Sequence, residues 1–320
     1  MTTHQLSSQT LAVVEKLAAD RPPVEAVVGL ADYYDEVTRN ALAEAESRLG
    51  APPQPYAWLA LGSHARREPS LASDQDNALV LASDADDMAA YGHELAEHVV
   101  ESLHSAGLRR CDGDYMATTW SHSLESWQSI LRRRFIDPKP ADILDADVFL
   151  DMRPVAGGLD VASLQEIMVQ AAGSTRLLQG LAAAAVQYPS GIGALGRLRL
   201  SHGRIDLKKG GLAPLTMLAR TYGLASGSLA VGTRDRLAAA ESADQLSPRA
   251  AGRLGFAYAL LTRLRLTGQL AQVRAGEPVT DLVAPGKVRW VDERLLRQAF
   301  EAIKEVQQAT EIRFRTDMRR

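Results

Sequence analysis

The chain has 320 residues, of which 46% are hydrophobic and 23% charged, with a formal net charge of −3, and these values are typical of a globular protein with one or two domains. A single cysteine, Cys111, excludes a disulfide framework within the chain and is typical of a protein in a reducing cytoplasm. The sequence shows no signal peptide and no apolar run long enough for a membrane span, and its 5% of aromatic residues are too few for a nucleic-acid stacking groove.

Two long helices are predicted before the first strand, over residues 8–20 and 24–49. In the second of them, apolar residues recur at helical spacing until the Gly50–Pro53 run, which cannot continue a helix. Tyr56–Leu61 is a short apolar run with two aromatic residues, so we expect a buried strand that ends at Gly62.

The next part of the chain alternates short apolar runs with amphipathic segments. Ala78–Leu81 is predicted as a second strand, and Ser83 or Asp84 is expected to cap the helix that follows it. Leu108–Met116 and Asp147–Met152 are predicted as the third and fourth strands. The predicted helices of this part cover residues 85–106 and 123–135.

After Gly157-Gly158 the chain becomes rich in Ala, Leu and Gln, and helical periodicity dominates. The order of elements predicts an α+β fold, in which N-terminal helices and a small mixed β-sheet are followed by an all-helical C-terminal domain. We expect N-terminal helices over residues 1–50, an α/β domain over 51–158 and a helical domain over 159–320. The predicted helices of the last domain cover residues 161–188, 211–224, 233–243, 247–273 and 290–316.

Two carboxylates stand one residue apart at the start of the second predicted strand. Asp74 and Asp76 flank Gln75, and residues two apart in a strand point to the same face with Cα atoms about 6–7 Å apart. Both carboxylates can therefore bind one hard cation such as Mg²⁺, which would cancel their repulsion. The alternative is a solvated turn, for which Ser-Asp-Gln-Asp-Asn is also well suited.

A candidate phosphate site precedes this pair, where the first predicted strand ends. Gly62 allows close approach of the backbone, and the free N–H groups of the Gly62-Ser63 turn favour anions. Arg66 follows and can neutralise phosphate charge, while Glu68 is a partner of Arg66, a partner of the metal region or a solvated side chain. A phosphate site beside metal-binding carboxylates indicates chemistry on a magnesium-bound nucleotide.

This arrangement resembles the signature of the polymerase-β-like nucleotidyltransferase superfamily, which the chain carries as Gly62-Ser63, Arg66, Glu68 and the Ser73–Asn77 run. More narrowly, it is similar to nucleotidyltransferases that are often fused to CBS and cyclic-nucleotide-binding modules and are related to PII uridylyltransferase and glutamine-synthetase adenylyltransferase. This chain has Ala65 where that family usually has Gly, and we expect the fused modules to be absent, because these 320 residues have no room for them. The resemblance implies that residues 51–158 form the catalytic domain and residues 159–320 bind nucleotide or substrate.

A second element of the same resemblance lies in the helical half. Lys208-Lys209-Gly210-Gly211-Leu212 resembles the Lys-x-Gly-Gly-Leu element of the uridylyl- and adenylyltransferases. The resemblance implies nucleotide binding here, and lysines suit triphosphate contacts because each is a point charge on a flexible stem. The relatives usually continue with Arg-Asp, where this chain has Ala213-Pro214, and the alternative is a solvated basic turn.

Enzymes of the resembled superfamily use a third carboxylate, often as the base for the attacking hydroxyl. Asp151 is one candidate, because a charged residue in an apolar segment is costly without a partner. Asp112 and Asp114 are the other candidates. They follow the helix after the Asp-x-Asp strand, and in the resembled superfamily the strand after that helix often lies beside the Asp-x-Asp strand. The sequence leaves this choice open.

The resemblance implies an enzyme of the uridylyl- or adenylyltransferase type, which uses Mg²⁺ or Mn²⁺ and transfers a nucleoside monophosphate from an NTP to an acceptor hydroxyl. The expected acceptor is a protein in bacterial signalling or metabolic regulation in the cytoplasm, with no membrane or nucleic-acid partner. The alternatives are a nucleotidyltransferase that modifies a small molecule and a regulatory module that senses nucleotides without catalysis.

The formal charge is unevenly distributed, at −13 over residues 1–160 and +10 over residues 161–320. This asymmetry fits an acidic half that holds cations and a basic half that holds an anion. The alternative is two solvated faces with no function.

Overall fold

The computed structural model describes residues 7–139, 142–193 and 196–316. The chain forms two compact units, of which the first comprises Met1–Arg134 with Val148–Met168, and the second comprises Phe135–Asp147 with Val169–Arg320. The chain therefore leaves the first unit after residue 134 and returns to it at residue 148. The domain boundaries near residues 50 and 158 stay a prediction.

The first unit is built on a four-stranded mixed sheet with the strand order β5-β3-β1-β6. Strand β1 runs antiparallel to both β3 and β6, and β3 runs parallel to β5. Every residue of β1 and β3 is buried. Because both faces of these strands are covered, their sequences are nearly continuous apolar runs and do not alternate between apolar and polar residues. The strands of this sheet are β1 (Tyr56–Leu61), β3 (Asn77–Leu81), β5 (Ser121–Ser123) and β6 (Met152–Gly157).

Helices α2 (Pro23–Leu49) and α4 (Asp86–Ser105) pack against strands of this sheet, and the first unit also contains a separate pair of short parallel strands. Both N-terminal helices and the helix that follows the second predicted strand form as expected, and α2 packs against α4. The two-residue strands are β2 (Asp74–Gln75) and β4 (Arg109–Arg110). The helices are α1 (Ser8–Asp20), α2 (Pro23–Leu49), α3 (Gly62–Ala65), α4 (Asp86–Ser105), α5 (Leu124–Phe135), α6 (Asp142–Phe149) and α7 (Ala162–Ala171), of which α5, α6 and α7 each cross from one unit into the other.

The prediction of a strand over Asp147–Met152 is wrong. The first half of this segment is the end of helix α6. The strand, β6, begins only at Met152 and contains Pro154. Proline lacks an N–H group and is tolerated only at sheet edges and bulges. Strand β6 is an edge strand, and its register with β1 shifts beside the Leu59–Pro154 pair, so Pro154 lies where a sheet tolerates proline.

Two further predictions about this unit are wrong. Within Leu108–Met116 only Arg109–Arg110 is a strand, because the chain turns after Cys111, where the Asp114 N–H donates to the Cys111 carbonyl at 3.2 Å. Helix α4 has Ala85 as its N-cap residue and no side-chain cap, so neither Ser83 nor Asp84 has the expected role.

The second unit is helical. Its core contains large apolar side chains from its longest helices, among them Leu215, Leu254, Leu261, Phe300 and Ile303. The pair of short antiparallel strands β7 (Ile205–Asp206) and β8 (Leu282–Val283) was not expected. The helices are α8 (Thr175–Gln187), α9 (Ala213–Ala225), α10 (Thr233–Ser242), α11 (Pro248–Arg274) and α12 (Trp290–Phe314), with a π-helical turn over Lys208–Leu212 and a 3₁₀ turn over Pro285–Lys287.

These elements confirm the predicted α+β fold with N-terminal helices, a small mixed sheet and a helical C-terminal region. No helix within the described ranges combines the length and the apolar character that crossing a membrane requires.

Candidate active site

The chain turns sharply where β1 ends, and the turn lies against one of the two predicted metal ligands. Gly62 has φ of +54°, and a Cβ atom at this position would lie 2.8 Å from Oδ2 of Asp76. Only glycine fits here without displacing the carboxylate. The Gly62 N–H donates to the Asp151 carbonyl at 3.0 Å, so this turn brings Asp76 and the backbone of Asp151 to the same place.

Asp74 and Asp76 share a face because the residues between and after them are fixed inside the unit. Gln75 is 2% exposed and its amide donates to the Val100 carbonyl at 3.1 Å. Asn77 is 3% exposed and donates to the Gln75 side-chain oxygen at 3.3 Å. Since side chains alternate along an extended chain, the two aspartates point the other way, where both are half-buried.

A third donor, which the sequence analysis missed, faces this pair. One carboxylate oxygen from each of Asp74 and Asp76 and the sulfur of Cys111 all lie within 4.8 Å of one another. Burial, and then the charge and hydrogen bond of Asp76, raise the pKa of the Cys111 thiol to about 12, so the thiol is protonated and donates to Asp76. The sequence signal was present, because Cys111 follows the strand that pairs with the Asp74 strand, but that pairing joins distant segments.

The chemistry of these donors fits a divalent cation. Two converging carboxylate oxygens suit a hard ion such as Mg²⁺, which takes one or two carboxylates and completes its shell with water and phosphate oxygens. The predicted metal ligands Asp74 and Asp76 are thus brought together by the structure, and their role as ligands stays a prediction.

The three candidates for a third carboxylate lie in different environments. Asp112 and Asp114 are exposed in the turn after β4, where Asp114 accepts a hydrogen bond from the Thr119 hydroxyl at 2.9 Å. Asp151 is 0% exposed and forms an ion pair with Arg66. Asp151 also lies directly before β6, and its carbonyl accepts from the Gly62 N–H, so its position favours it over the two exposed aspartates, while its role stays a prediction.

Arg66 lies between two carboxylates. Its guanidinium is ion-paired with Asp151 and with Glu68, the latter at 3.0 Å, and only 15% of the side chain is exposed. Burial by itself lowers the pKa of the Arg66 guanidinium, but the charges of Asp151 and Glu68 outweigh burial and raise this pKa above its usual value. Arg66 therefore holds Asp151 in place, and its predicted contact with phosphate stays a prediction.

Another arginine fixes the short helix α3 from the other side. Arg153 pairs with Asp35 at 2.9 Å and donates to the carbonyls of His64 and Ala65, each at 3.2 Å. These carbonyls lie in the last turn of α3, where a cation is favourable. The Ser63 hydroxyl, on the same helix, lies 3.4 Å from the Ser73 hydroxyl, which also accepts from the Ser70 N–H.

His64 lies behind the aspartates and lines a small polar cavity together with Asp76 and Asn77. The cavity has a volume of about 20 Å³, which is enough for one water molecule. Burial lowers the pKa of His64 to about 4, although the charges of Asp35 and Asp74 act in the opposite direction. The imidazole is therefore neutral at neutral pH.

The lowered pKa of His64 predicts a loss of stability in acid. The unfolded chain binds the His64 proton below its ordinary pKa of 6.5, whereas the folded chain does not bind it until about pH 4. Since the proton favours the unfolded state in this window, the free energy of unfolding should fall by about 3 kcal/mol between pH 7 and pH 4. Urea unfolding at pH 7, 5.5 and 4 measures the free energy of unfolding. The His64→Gln variant should lack the part of the fall that His64 causes, about 3 kcal/mol. The exposed His93 on α4 provides the control, and equal pH dependence in His64→Gln and His93→Gln would contradict the prediction.

The predicted phosphate contacts of the helical half belong to the second unit. Lys208 and Lys209 are exposed in the π-helical turn that leads into α9. A Cβ atom on Gly210 would lie 2.9 Å from the Cα atom of Gly191, and one on Gly211 would lie 2.8 Å from Leu261. The two glycines therefore permit close packing, and the binding of nucleotide by all four residues stays a prediction. Single π-helical turns are frequent at functional sites.

Comparison with known proteins gives two matches that together cover most of the chain. The family model described as "Putative nucleotidyltransferase DUF294" matches residues 8–141. The model described as "Putative nucleotidyltransferase substrate binding domain" matches residues 175–314. None of the curated proteins matches the chain.

Proposed function

Because the chain belongs to the nucleotidyltransferase family that these two models describe, we propose that it transfers a nucleoside monophosphate from an NTP to an acceptor hydroxyl. The observation that carries this proposal is the convergence of Asp74 and Asp76 beside Gly62. Their carboxylates share one face with Cys111, and the glycine leaves room for the Asp76 carboxylate against the turn.

Asp74 and Asp76 would hold the divalent cation, Mg²⁺ or Mn²⁺. When bound, such an ion neutralises the charge that develops on the transferred phosphate and on the departing pyrophosphate. The protein supplies the rest by positioning. The turn at Gly62-Ser63 would contact the phosphates of the nucleotide through the Ser63 N–H and hydroxyl, because the Gly62 N–H already donates to the Asp151 carbonyl.

Asp151 is the residue we assign to the acceptor. In the proposed reaction the acceptor oxygen forms a bond to the α-phosphorus, the bond from that phosphorus to the pyrophosphate oxygen breaks, and the hydroxyl proton passes to Asp151. Asp151 is fully buried, and Arg66 fixes its side chain. The arginine thus acts by orienting the Asp151 carboxylate until the acceptor arrives.

The acceptor we propose is a protein hydroxyl in the bacterial cytoplasm, and the donor is ATP or UTP. The resemblance to uridylyl- and adenylyltransferases that modify proteins supports this choice. The description of the second matched domain as substrate-binding supports a binding role for residues 175–314. Lys208 and Lys209 of the second unit would bind nucleotide phosphates, as their exposure and charge allow.

The proposal predicts label transfer from an NTP labelled at the α-phosphate. We expect the full chain, incubated with Mg²⁺, labelled ATP or UTP and a bacterial lysate, to label a protein band, because the α-phosphate stays on the acceptor. Label found only in small metabolites would contradict the proposed protein acceptor but would still support nucleotidyl transfer. Absence of label from every fraction with all four NTPs, with either Mg²⁺ or Mn²⁺, would contradict the transferase itself. Omission of divalent metal by chelation serves as the control.

A further inference from the structure

Cys111 has no part in the proposed transfer, yet its sulfur lies at the metal-binding carboxylates. All three donors lie within 4.8 Å of one another. Four ligands arranged tetrahedrally around Zn²⁺, at about 2.0–2.3 Å, lie about 3.3–3.7 Å apart. Small rotations of the three side chains would therefore bring both carboxylate oxygens and the sulfur onto one ion.

The backbone holds Cys111 in this position on both sides. Before it, β4 pairs in parallel with β2, so that Arg109 lies opposite Asp74. After it, the Asn77 N–H donates to the Tyr115 carbonyl at 2.9 Å, which ties the far end of the turn to the strand that follows Asp76. The sulfur is thus presented to the carboxylates by the fold rather than by a free loop.

Sulfur changes which ions the site prefers. Mg²⁺ takes oxygen ligands, whereas Zn²⁺, Co²⁺ and Cd²⁺ bind thiolate sulfur as well as carboxylate oxygen. An ion that uses all three donors occupies the same carboxylates that the catalytic ion needs. The thiol proton passes to solvent when the sulfur binds, as it does at other cysteine metal sites.

We propose that Asp74, Asp76 and Cys111 form a three-donor site for a thiophilic divalent cation of the Zn²⁺ class, and that this cation inhibits the enzyme by excluding Mg²⁺. The inhibitory part rests on the proposed nucleotidyl transfer, whereas the binding part rests on the donors alone.

Binding is tested without any activity, by titrating the purified full chain with Cd²⁺ or Co²⁺ and recording the sulfur-to-metal charge-transfer absorption. The chain has one cysteine, so this band reports on Cys111. We expect a saturable band with one ion per chain. Asp74→Asn and Asp76→Asn should each raise the dissociation constant by about tenfold or more, because each replaces a negatively charged carboxylate ligand with a neutral amide. The exposed Glu101, which pairs with Arg110 beside Cys111, gives the control Glu101→Gln, for which we expect no change.

A band whose dissociation constant is the same in wild type, Asp74→Asn and Asp76→Asn would overturn the proposal, because the cysteine would then bind the ion alone. Absence of any band would also overturn it. Two separate variants keep the test decisive if one of them fails to fold.

Inhibition is measured on Mg²⁺-dependent transfer, with each variant compared with its own rate before Zn²⁺ is added. We expect Cys111→Ser to require about tenfold more Zn²⁺ than wild type for half inhibition. Equal sensitivity would overturn the inhibitory part. A normal Cd²⁺ titration in a chain that transfers no nucleotide would refute the proposed function and leave the metal site standing.

Discussion

Asn in place of Asp74 or Asp76 is expected to lower the rate of nucleotidyl transfer by about 10³-fold or more, the range for removing a group that stabilises charge on a transferring phosphate. Asparagine has the same shape as aspartate but no negative charge, so the site would keep its form and lose its hold on the cation. The measurement is single-turnover transfer at saturating NTP over a series of Mg²⁺ concentrations.

The matched control is Asp86→Asn, which removes an exposed carboxylate in the first turn of α4. We expect this control to transfer nucleotide at the wild-type rate. Urea unfolding of all three variants shows whether a lost rate reflects a lost fold. Retention of full activity by both Asp74→Asn and Asp76→Asn would refute the assignment of these residues.

Replacing Arg66 with Met is expected to lower the free energy of unfolding by about 3–5 kcal/mol, because it breaks the ion pair of the buried Asp151. Glu68 loses its ion pair at the same time. Methionine keeps much of the volume of arginine, so most of the effect comes from the lost ion pairs. Urea unfolding at pH 7 measures it.

Arg48 provides a control of the same kind, since it forms an exposed ion pair with Glu44 one helical turn away. Arg48→Met should lower the free energy of unfolding by only about 0.3–0.5 kcal/mol. Asp151→Asn combined with Arg66→Met should cost less than the sum of the two single changes, because the pair is removed together. Equal losses of the free energy of unfolding for Arg66→Met and Arg48→Met would show that the ion pair of Asp151 is worth no more than an exposed one.

Local rules were enough for part of the candidate site. The spacing of Asp74 and Asp76 placed them on one face, and burial of Gln75 and Asn77 provides the reason. The apolar run Tyr56–Leu61 and the glycine after it also formed the predicted strand and turn. Each of these features depends on neighbours within a few residues, which a single sequence displays directly.

The errors arose where pairing between distant segments overrode local character. The apolar residues before Asp151 suit a strand, but they complete helix α6, and the strand is the segment with Pro154 at the sheet edge. In the same way, a strand was predicted over Leu108–Met116, yet only Arg109–Arg110 pairs with another strand, β2.

The sequence by itself determined the α+β fold, most of the helices and the pair of aspartates beside a glycine turn, because hydrophobic periodicity and the alternation of side chains act over short distances. Only the tertiary structure decided that Arg66 pairs with Asp151 rather than standing free, and that Cys111 completes the set of donors around Asp74 and Asp76. These contacts join residues 85 and about 35 positions apart, and only the folded sheet brings them within reach.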